Sequence, residues 1–503
     1  MVTLPFIGLY RRVCVFALLA LVSPPLFAQQ AQQQLERRID ELLGREVLRN
    51  AFVGIEVLDL NDGTVLFSHN GEKSFIPASN QKIFTSAVAL DLFGPDFVYE
   101  TSLYADGPIE NGVLHGNLVV RGSGDPSIGG RFNNGDLTKT FRNWADSLRN
   151  AGINRVTGDV IGDDDVFDDV PLGYGWSWDD ETYYYSAEIS GLSYNENKVD
   201  LTIRARQQGQ PAEISWEPHN TDFVHVLNRT VAIRPDSSLK EGYLKQRGTN
   251  VLQIFSRVPA GSTDRESLSV TNPTRYFVHV FREVLVKSGI EVEGSPVDVD
   301  ELSEKPDYTR LSRIATYVSP PLSEIIEVVN KDSHNLFAEQ VFRTLGALRP
   351  VFRKDLTPGS AEMAAERMKY VLAEAGVDTA RIQIMDGSGL SRQNLVTPRD
   401  VVSVLRYMWE HPEQEIANAF YTSLPVGGRD GSLAYRFSSG PARGRVHAKT
   451  GTVSNVSALS GYVITTTGTP LAFSILCNHY TARTRLVRNT LDAIVNVLAG
   501  YSN

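Results

Sequence analysis

The sequence predicts an α+β fold. An antiparallel five-stranded sheet with helices and an α-helical cluster form one domain, which a large β-rich insertion interrupts. Two observations predict this arrangement. Strand and hairpin patterns stand at both ends of the chain, and the residues between them change from helical to β-rich character and back. With 503 residues, 42% of them hydrophobic and 21% charged, the chain has the composition of an ordinary globular protein of two or three domains.

The first 28 residues have the three parts of a secretory signal. Arg11 and Arg12 precede an apolar run, and Ser23-Pro24-Pro25 predicts a turn before Ala28. We expect cleavage after Ala28, because the apolar run is shorter than the roughly 20 residues of a membrane-spanning helix. An uncleaved anchor is the alternative. No later segment is apolar for long enough to span a membrane, so we expect an exported protein of a bacterial periplasm, with peripheral membrane association left open.

Both ends of the mature chain predict parts of one sheet. Residues 30–48 repeat apolar side chains at helical spacing, and strands Val53–Leu60 and Thr64–Ser68 flank an Asp-Gly turn typical of a hairpin. The C-terminal end predicts three strands and a closing helix. They are Arg445–Val453, Leu459–Thr465, Leu471–Asn478 and the helix Arg483–Leu498. Five antiparallel strands with two terminal helices make one sheet-and-helix domain.

Residues 96–302 predict a β-rich inserted domain, because helical periodicity is scarce there and about 200 residues are too many for a loop. We also expect a smaller domain nested near 200–270. Helical periodicity returns at 322–345, 360–375 and 398–410, so the first domain is expected to comprise 29–95 and 303–503. The β-rich runs of the insertion include Leu118–Arg121, Val199–Ala205, Thr230–Ile233 and Val251–Phe255.

Charge and cysteine content exclude several function classes. The chain has 49 Lys and Arg against 59 Asp and Glu, and its formal net charge of −10 becomes −12 when Arg11 and Arg12 are removed with the leader. A net acidic chain argues against nucleic-acid binding. The two cysteines are Cys14, in the leader, and Cys477. A mature intrachain disulfide, a multi-cysteine metal site and a Cys-x-x-Cys redox motif are therefore excluded. We expect no metal and no cofactor.

The motif with the clearest chemistry is Ser79-x-x-Lys82, at the start of a predicted helix that runs to Phe93. Residues three apart share one face of a helix, so Ser79 and Lys82 are predicted neighbours. A serine becomes a nucleophile when a base takes its proton. Burial and the positive end of a helix both lower the pKa of a lysine towards neutrality. The motif alone is weak evidence, because Ser237 and Lys240 have the same spacing.

Two further motifs follow along the chain. Ser333-His334-Asn335 lies between two predicted helical stretches and supplies a hydroxyl and an amide. Lys449-Thr450-Gly451 lies on a predicted strand of the C-terminal sheet and supplies a cation and a hydroxyl for a substrate carboxylate. Either motif alone is usually a cap, a turn or an exposed strand end. Together, the order S-x-x-K, S-x-N, K-T-G is that of penicillin-binding proteins and class A β-lactamases.

On these motifs the chain resembles the low-molecular-mass class C penicillin-binding proteins, the D-alanyl-D-alanine carboxypeptidase/endopeptidase family, along nearly its whole mature length. The long gap between Lys82 and Ser333 fits the large insertion of that family. His334 departs from the family, which often has Asp at this position. Further matching segments are Gly124-Asp125-Pro126, Trp176 to Asp180, Asn195-Glu196-Asn197, Asn335 to Glu339, Asp386 to Arg392, Ser423-Leu424-Pro425 and Asp430-Gly431.

The resemblance implies a penicillin-binding/serine β-lactamase-like fold and a periplasmic serine D,D-peptidase. Such an enzyme cleaves peptidoglycan stem peptides, as a carboxypeptidase and an endopeptidase, through an acyl-enzyme without a metal, and binds β-lactam antibiotics covalently. The family roles would make Ser79 the nucleophile and Lys82 its base. Ser333 would relay a proton and Asn335 would contact the substrate amide.

The K-T-G strand and three residues of the insertion and loops complete the implied site. Lys449 and Thr450 would bind the terminal carboxylate, and Gly451 would let another backbone approach. The backbone amides of Ser79 and Thr452 would form the oxyanion hole. In the family, an acid, an aromatic wall and a cation meet the free end of the diamino acid of the stem peptide. The matching residues are Asp180, Tyr185 and Arg392.

Two alternatives come from other function classes. A β-lactamase shares the first chemical step, but a class A enzyme holds its hydrolytic water with a glutamate in a compact chain, and Glu339 is better interpreted as structural. A non-catalytic peptidoglycan-binding protein has no need of Ser79, Lys82 and Lys449 together. Turnover of a chromogenic cephalosporin tests the first alternative, and stoichiometric labelling by a fluorescent penicillin tests the second.

Overall fold

The structure is a computed structural model that describes residues 23–347 and 353–502. The predicted leader lies outside these residues except for 23–28, and its cleavage stays a prediction. Within the described part of the chain, no helix is both long and apolar enough to cross a membrane. The chain divides into two compact units. The first comprises the residues up to Pro77, Val396–Trp409 and the residues from Leu424 onward; the second comprises Ala78–Leu395 and Glu410–Ser423.

Ten α-helices lie in the described residues, and most begin and end close to their predicted bounds. The predicted helix 30–48 is wrong at both ends. It begins at Ser23, where the prolines of a predicted turn are tolerated in a first helical turn, and it ends at Leu43. Two helices within the insertion and the helix at Gln414 were not predicted. The helices are α1 Ser23–Leu43, α2 Gln81–Phe93, α3 Lys139–Asn150, α4 Pro273–Lys287, α5 Leu322–Lys331, α6 Asn335–Ala347, α7 Ala361–Glu374, α8 Pro398–Trp409, α9 Gln414–Ser423 and α10 Thr484–Ala499.

The strands confirm the hairpin, the three C-terminal strands and the four β-rich runs of the insertion. They are β1 Phe52–Asp59, β2 Val65–His69, β3 Glu100–Asp106, β4 Ile109–Glu110, β5 Val113–Leu114, β6 Asn117–Arg121, β7 Arg155–Val156, β8 Val160–Asp163, β9 Lys198–Arg204, β10 Glu213–Glu217, β11 His225–Asn228, β12 Val231–Ile233, β13 Tyr243–Lys245, β14 Val251–Ile254, β15 Arg257–Pro259, β16 Thr263–Ser269, β17 Glu291–Val292, β18 Pro296–Asp298, β19 Ser312–Val318, β20 Val446–Val453, β21 Val456–Ile464 and β22 Pro470–Asn478.

The first unit contains the predicted five-stranded sheet. Its strand order is β2-β1-β22-β21-β20, and every neighbouring pair is antiparallel. Apolar side chains of α1 and α10 share one core with the odd-numbered residues of β1. Gly54 lies on the same strand, and a Cβ there would come within 2.4 Å of Phe75 and 2.7 Å of Pro398, at the start of α8. The sheet is therefore covered by helices on both faces, which explains why β21 and β22 are almost wholly buried.

The second unit combines a helical cluster with the β-rich insertion. Helix α2 contacts α5, α6, α7 and α9 and is buried from Gln81 to Leu90, so it is the central helix of the cluster. A sheet of order β18-β8-β6-β3-β19 combines four strands of the insertion with β19, which follows the predicted boundary at 302. The aromatic side chains of α3 and α4, among them Phe141, Trp144 and Phe277, pack into the largest core of the insertion.

The compact units have other boundaries than the predicted domains. Residues 96–302 fall into one unit with α2, α5, α6 and α7, which the sequence analysis assigned to the sheet-containing domain. The domain boundaries at 95 and 303, and a nested domain near 200–270, stay predictions.

Candidate functional site

Ser79 and Lys82 are neighbours, as their spacing predicts. Ser79 lies in a 3₁₀ turn, Ala78–Asn80, that leads directly into α2. Lys82 is fully buried in the first turn of α2, and its Nζ donates a hydrogen bond to Ser79 Oγ at 3.1 Å. Gly389 packs against this turn so closely that no side chain would fit at its position. A Cβ at Gly389 would lie 1.8 Å from the carbonyl oxygen of Ala78.

The amine of Lys82 also joins the S-x-N segment to a distant loop. Nζ donates to Asn335 Oδ1 at 2.7 Å and to the carbonyl oxygen of Ser388 at 2.6 Å. Asn335 is the first residue of α6, and its Nδ2 donates to the carbonyl oxygen of Tyr185 at 2.7 Å. The structure therefore brings together Ser79, Lys82 and Asn335. Lys82 and Asn335 are 253 residues apart in the sequence.

The environment of Lys82 favours a neutral amine. Burial lowers the pKa of Lys82 to about 7, against the opposing charges of Asp386 and Glu339. A lysine that exchanges its proton near neutral pH can act as a general base. This side chain therefore has the chemistry that the sequence analysis required of the partner of Ser79.

The loop that carries Ser388 is held by two buried carboxylates. Glu339 accepts hydrogen bonds from the backbone N–H groups of Gly387, at 3.1 Å, and of Ser388, at 2.7 Å. Burial raises the pKa of Glu339, and its hydrogen bonds with Ser388 and Gly387 oppose that rise. Asp386 accepts from the backbone N–H groups of Gly389 and Ser391. Glu339 therefore holds the peptide whose carbonyl oxygen accepts from Lys82, and its interpretation as structural stays a prediction.

The carbonyl oxygen of Ser388 contacts Lys82, a contact that the sequence analysis missed. The Asp-Gly and Ser-Gly steps of Asp386 to Gly389 predict a structural turn rather than a ligand. The contact to Lys82 comes from a backbone carbonyl group, which every residue has, so no side-chain motif could have identified it. The available signal was the match of Asp386 to Arg392 with the family, which points to the loop but not to the atom.

Asp180 and Tyr185 lie next to the S-x-N segment, and Arg392 lies in the loop that follows Ser388. Tyr185 Oη donates to Asp180 Oδ1 at 2.9 Å, and the Tyr185 carbonyl oxygen accepts from Asn335. Burial raises the pKa of Asp180. Arg392 is exposed in the loop that contains Ser388. The acid and the aromatic residue are thus coupled to Asn335 by two hydrogen bonds through a single residue.

The K-T-G residues lie on β20, in the first unit, as predicted for a strand of the C-terminal sheet. Lys449 is fully buried, and its Nζ donates to the carbonyl oxygen of Thr450 at 3.0 Å. Thr450 Oγ1 donates to Ser432 Oγ at 2.8 Å, and Thr452 Oγ1 accepts from Arg488 at 2.8 Å. Gly451 is buried between them on the strand. The roles of these residues stay predictions.

Two groups of acidic and histidine side chains in the described residues could bring metal-ligating atoms together, and neither includes a residue of the predicted site. They are Asp222, His279 and Glu283, and Asp164, Asp298 and Asp300. In the first group Glu283 already accepts from Thr221, from the Asp222 backbone and from two histidines. That arrangement fastens the 217–222 turn to α4 through hydrogen bonds.

Comparisons with known proteins identify related chains. A model of the D-Ala-D-Ala carboxypeptidase 3 (S13) family matches residues 35–499. The chain is 32% identical over 482 residues to a D-alanyl-D-alanine carboxypeptidase of Actinomadura sp. (strain R39), covering 93% of this chain and 85% of the relative. It is 27% identical over 475 residues to the D-alanyl-D-alanine carboxypeptidase DacB of Haemophilus influenzae, covering 92% and 91%.

A solved structure has the same fold. The crystal structure of penicillin binding protein 4 (dacB) from Haemophilus influenzae matches with a TM-score of 0.77 at 24% identity, covering 92% of this chain and 98% of that chain. A second crystal structure of that protein, in complex with a β-lactam, matches with a TM-score of 0.73 at 23% identity, covering 93% and 100%. The likeness confirms the predicted fold class.

The charge of Glu339 should raise the pH at which Lys82 becomes a base. Acylation by a penicillin should rise with pH and be half-maximal near pH 7, because Lys82 must lose its proton. In Glu339→Gln the ammonium loses a stabilising negative charge, so the half-maximal pH should move lower. Acylation rate constants measured from pH 5 to 9 by stopped flow, a range of roughly two units on each side of the lysine pKa, give this value. Glu374→Gln, exposed at the end of α7, is the control, and an unmoved profile in Glu339→Gln would contradict the assignment.

Proposed function

The chain belongs to the D-Ala-D-Ala carboxypeptidase 3 (S13) family and is a low-molecular-mass class C penicillin-binding protein, and on this premise we propose that it is a serine D,D-peptidase with Ser79 as its nucleophile. It removes the terminal D-Ala from peptidoglycan stem peptides and cleaves D-alanyl cross-links. The observation that carries the proposal is the hydrogen bonding of Lys82 to Ser79, Asn335 and Ser388.

The number of acceptors around Lys82 supports its role as base. A neutral amine has two N–H groups and one lone pair. Asn335 Oδ1 and the Ser388 carbonyl oxygen, the two closest acceptors, take both N–H groups. The lone pair then points towards Ser79 Oγ at 3.1 Å and can accept the hydroxyl proton. An ammonium group has three N–H donors, and its third N–H points at Ser79 Oγ in place of the lone pair.

The proposed reaction has two steps. Lys82 takes the proton of Ser79 as Oγ attacks the carbonyl carbon of the penultimate D-Ala, and the resulting oxyanion is stabilised by backbone amides, for which Ser79 and Thr452 are predicted. The proton passes to the leaving amine, with Ser333 as relay, and the C–N bond breaks to leave an ester on Ser79. Water then hydrolyses this ester. A β-lactam undergoes the first step, but its leaving amine stays attached to the acyl group.

The substrate and the location of the enzyme follow from the same proposal. Peptidoglycan stem peptides are the substrates and β-lactams the inhibitors, consistent with the β-lactam complex of the Haemophilus influenzae protein. Cleavage of the predicted leader after Ala28 would deliver the enzyme to the periplasm, where such peptides are found. Lys449 and Thr450 are proposed to bind the terminal carboxylate of the peptide.

The direct test is product analysis with a purified disaccharide pentapeptide. The wild-type protein should release D-Ala and leave a tetrapeptide, and it should divide a cross-linked dimer into monomers. Ser79→Ala should abolish both reactions, because the nucleophilic oxygen is gone. Lys82→Arg keeps the charge but cannot deprotonate, so turnover should fall by orders of magnitude.

The controls for this test separate loss of chemistry from loss of fold. The circular dichroism spectra and unfolding temperatures of both variants should show that each is folded. Product formation by Ser79→Ala at the wild-type rate would contradict the assignment of the nucleophile. Near-normal turnover by Lys82→Arg would show that another group is the base.

Asp180 is proposed to hold the ammonium of a diaminopimelate-type side chain. A charged, partly buried hydrogen bond contributes roughly 1.5–3 kcal/mol, so Asp180→Ala should lower kcat/KM on such peptides by about 10- to 150-fold. Acylation by penicillin, which lacks this ammonium, should scarcely change. Asp179→Ala, at the exposed neighbour, is the matched control. Equal losses on the peptide and on penicillin would mean that Asp180 supports the fold instead.

A further inference from the structure

Two segments of the second unit share an unusual backbone conformation. Ser333 has a φ of 59°, and the three successive residues Asn195, Glu196 and Asn197 have φ values of 46°, 56° and 52°. Residues other than glycine rarely adopt this left-handed conformation. Such strain persists where the surrounding structure holds it in place, and it is concentrated at functional sites.

Three side-chain contacts connect the two segments. His334 Nε2 lies 2.9 Å from Glu196 Oε2, and Asp332 Oδ2 lies 2.7 Å from Arg131 Nη1. Arg131 Nε lies in turn 2.8 Å from Glu196 Oε1. The residues immediately before and after Ser333 are therefore both fastened to the Arg131–Glu196 pair.

Glu196 is itself presented by a fixed turn. The side chain of Asn197 donates to the carbonyl oxygen of Glu188 at 2.8 Å and to Ser193 Oγ at 3.0 Å. The backbone N–H of Asn195 donates to the carbonyl oxygen of Ile128 at 2.9 Å. These bonds fix the residues on both sides of Glu196. The turn therefore determines where the carboxylate of Glu196 lies.

The carboxylate of Glu196 stays charged next to the S-x-N segment. Burial raises its pKa, but the charge and hydrogen bond of His334, with the charges of Lys198 and Arg131, outweigh burial and hold the pKa well below its usual range. The side chains of Glu196 and His334 are 12% and 5% exposed. Ion pairs this sheltered from solvent are screened less by salt than surface pairs, so the group can restrain the backbone around Ser333.

We propose that Glu196 is a positioning residue for catalysis, which acts through His334 and Arg131 to hold Ser333 in its left-handed conformation and Asn335 within reach of Lys82. The inference rests on the proposed function, because it assigns Glu196 to the same acylation reaction. It also gives a role to His334, whose imidazole N–H can donate to a carboxylate.

The test compares acylation rates of variants by a fluorescent penicillin. Glu196→Gln should lower the second-order rate constant by about 10- to 100-fold, the effect of a small displacement of reacting groups. The pH of half-maximal acylation should stay at the wild-type value, because the variant leaves in place the burial of Lys82 and the charges of Asp386 and Glu339, which set its pKa. Glu293→Gln removes the carboxylate of an exposed pair with Arg155 in the same unit and should leave the rate unchanged.

His334 variants show whether Glu196 acts through the proposed path. His334→Gln keeps a donor for Glu196 and should stay within about threefold of wild type, whereas His334→Ala should lose about as much as Glu196→Gln. The acylation rate constant of the double variant Glu196→Gln/His334→Ala should be no lower than that of the slower single variant. His334→Ala and His334→Gln also carry the test if Glu196→Gln does not fold.

Three results would overturn this inference. They are a near-wild-type acylation rate in folded Glu196→Gln, additive losses in the double variant, and equal losses in His334→Gln and His334→Ala. A wild-type protein that penicillin does not acylate would contradict the proposed function itself, so failure of the two proposals can be told apart.

Discussion

The structure of the second unit depends on the hydrogen bonds of one buried amine. An unpaired polar or charged group in a protein interior is costly, and Lys82 is fully buried. Its three acceptors come from the 3₁₀ turn before α2, from the first residue of α6 and from the loop after Met385. These segments have to stay together for the amine to be satisfied. The same requirement places Ser79 and Asn335 around one nitrogen atom.

Each acceptor of Lys82 has its own support. Glu339 holds the Gly387–Ser388 peptide through N–H groups, and Asp386 closes the same loop onto Ser391 and the indole of Trp176. Their charges also oppose the effect of burial on the lysine. The pKa of Lys82 is therefore a balance between burial and two nearby carboxylates. This balance leaves it near neutral pH, where a base is most effective.

The sequence was sufficient for the elements whose signals are local. The Asp-Gly hairpin, the C-terminal strands and the spacing of Ser79 and Lys82 depend on turn chemistry and on periodicity, and all three are confirmed. Helices α3 and α4 were missed because the high content of Gly, Asp and Thr around them outweighed the periodicity of short segments. The Ser388 carbonyl contact and the Arg131–Glu196 pair were beyond prediction. They join residues far apart in the chain, and in one of them the acceptor is a backbone atom. The roles of Lys449, Thr450 and Arg392 are still predictions from resemblance.

The central claim is that Ser79 is the residue that becomes acylated. It is tested most directly by incubating the mature protein with penicillin, digesting it with a protease and locating the adduct by tandem mass spectrometry. The account predicts one penicilloyl group per chain, on the peptide that contains Ser79 and on the Ser79 side chain. An adduct on Ser333, on Ser237 or on any other residue, with Ser79 unmodified, would contradict it.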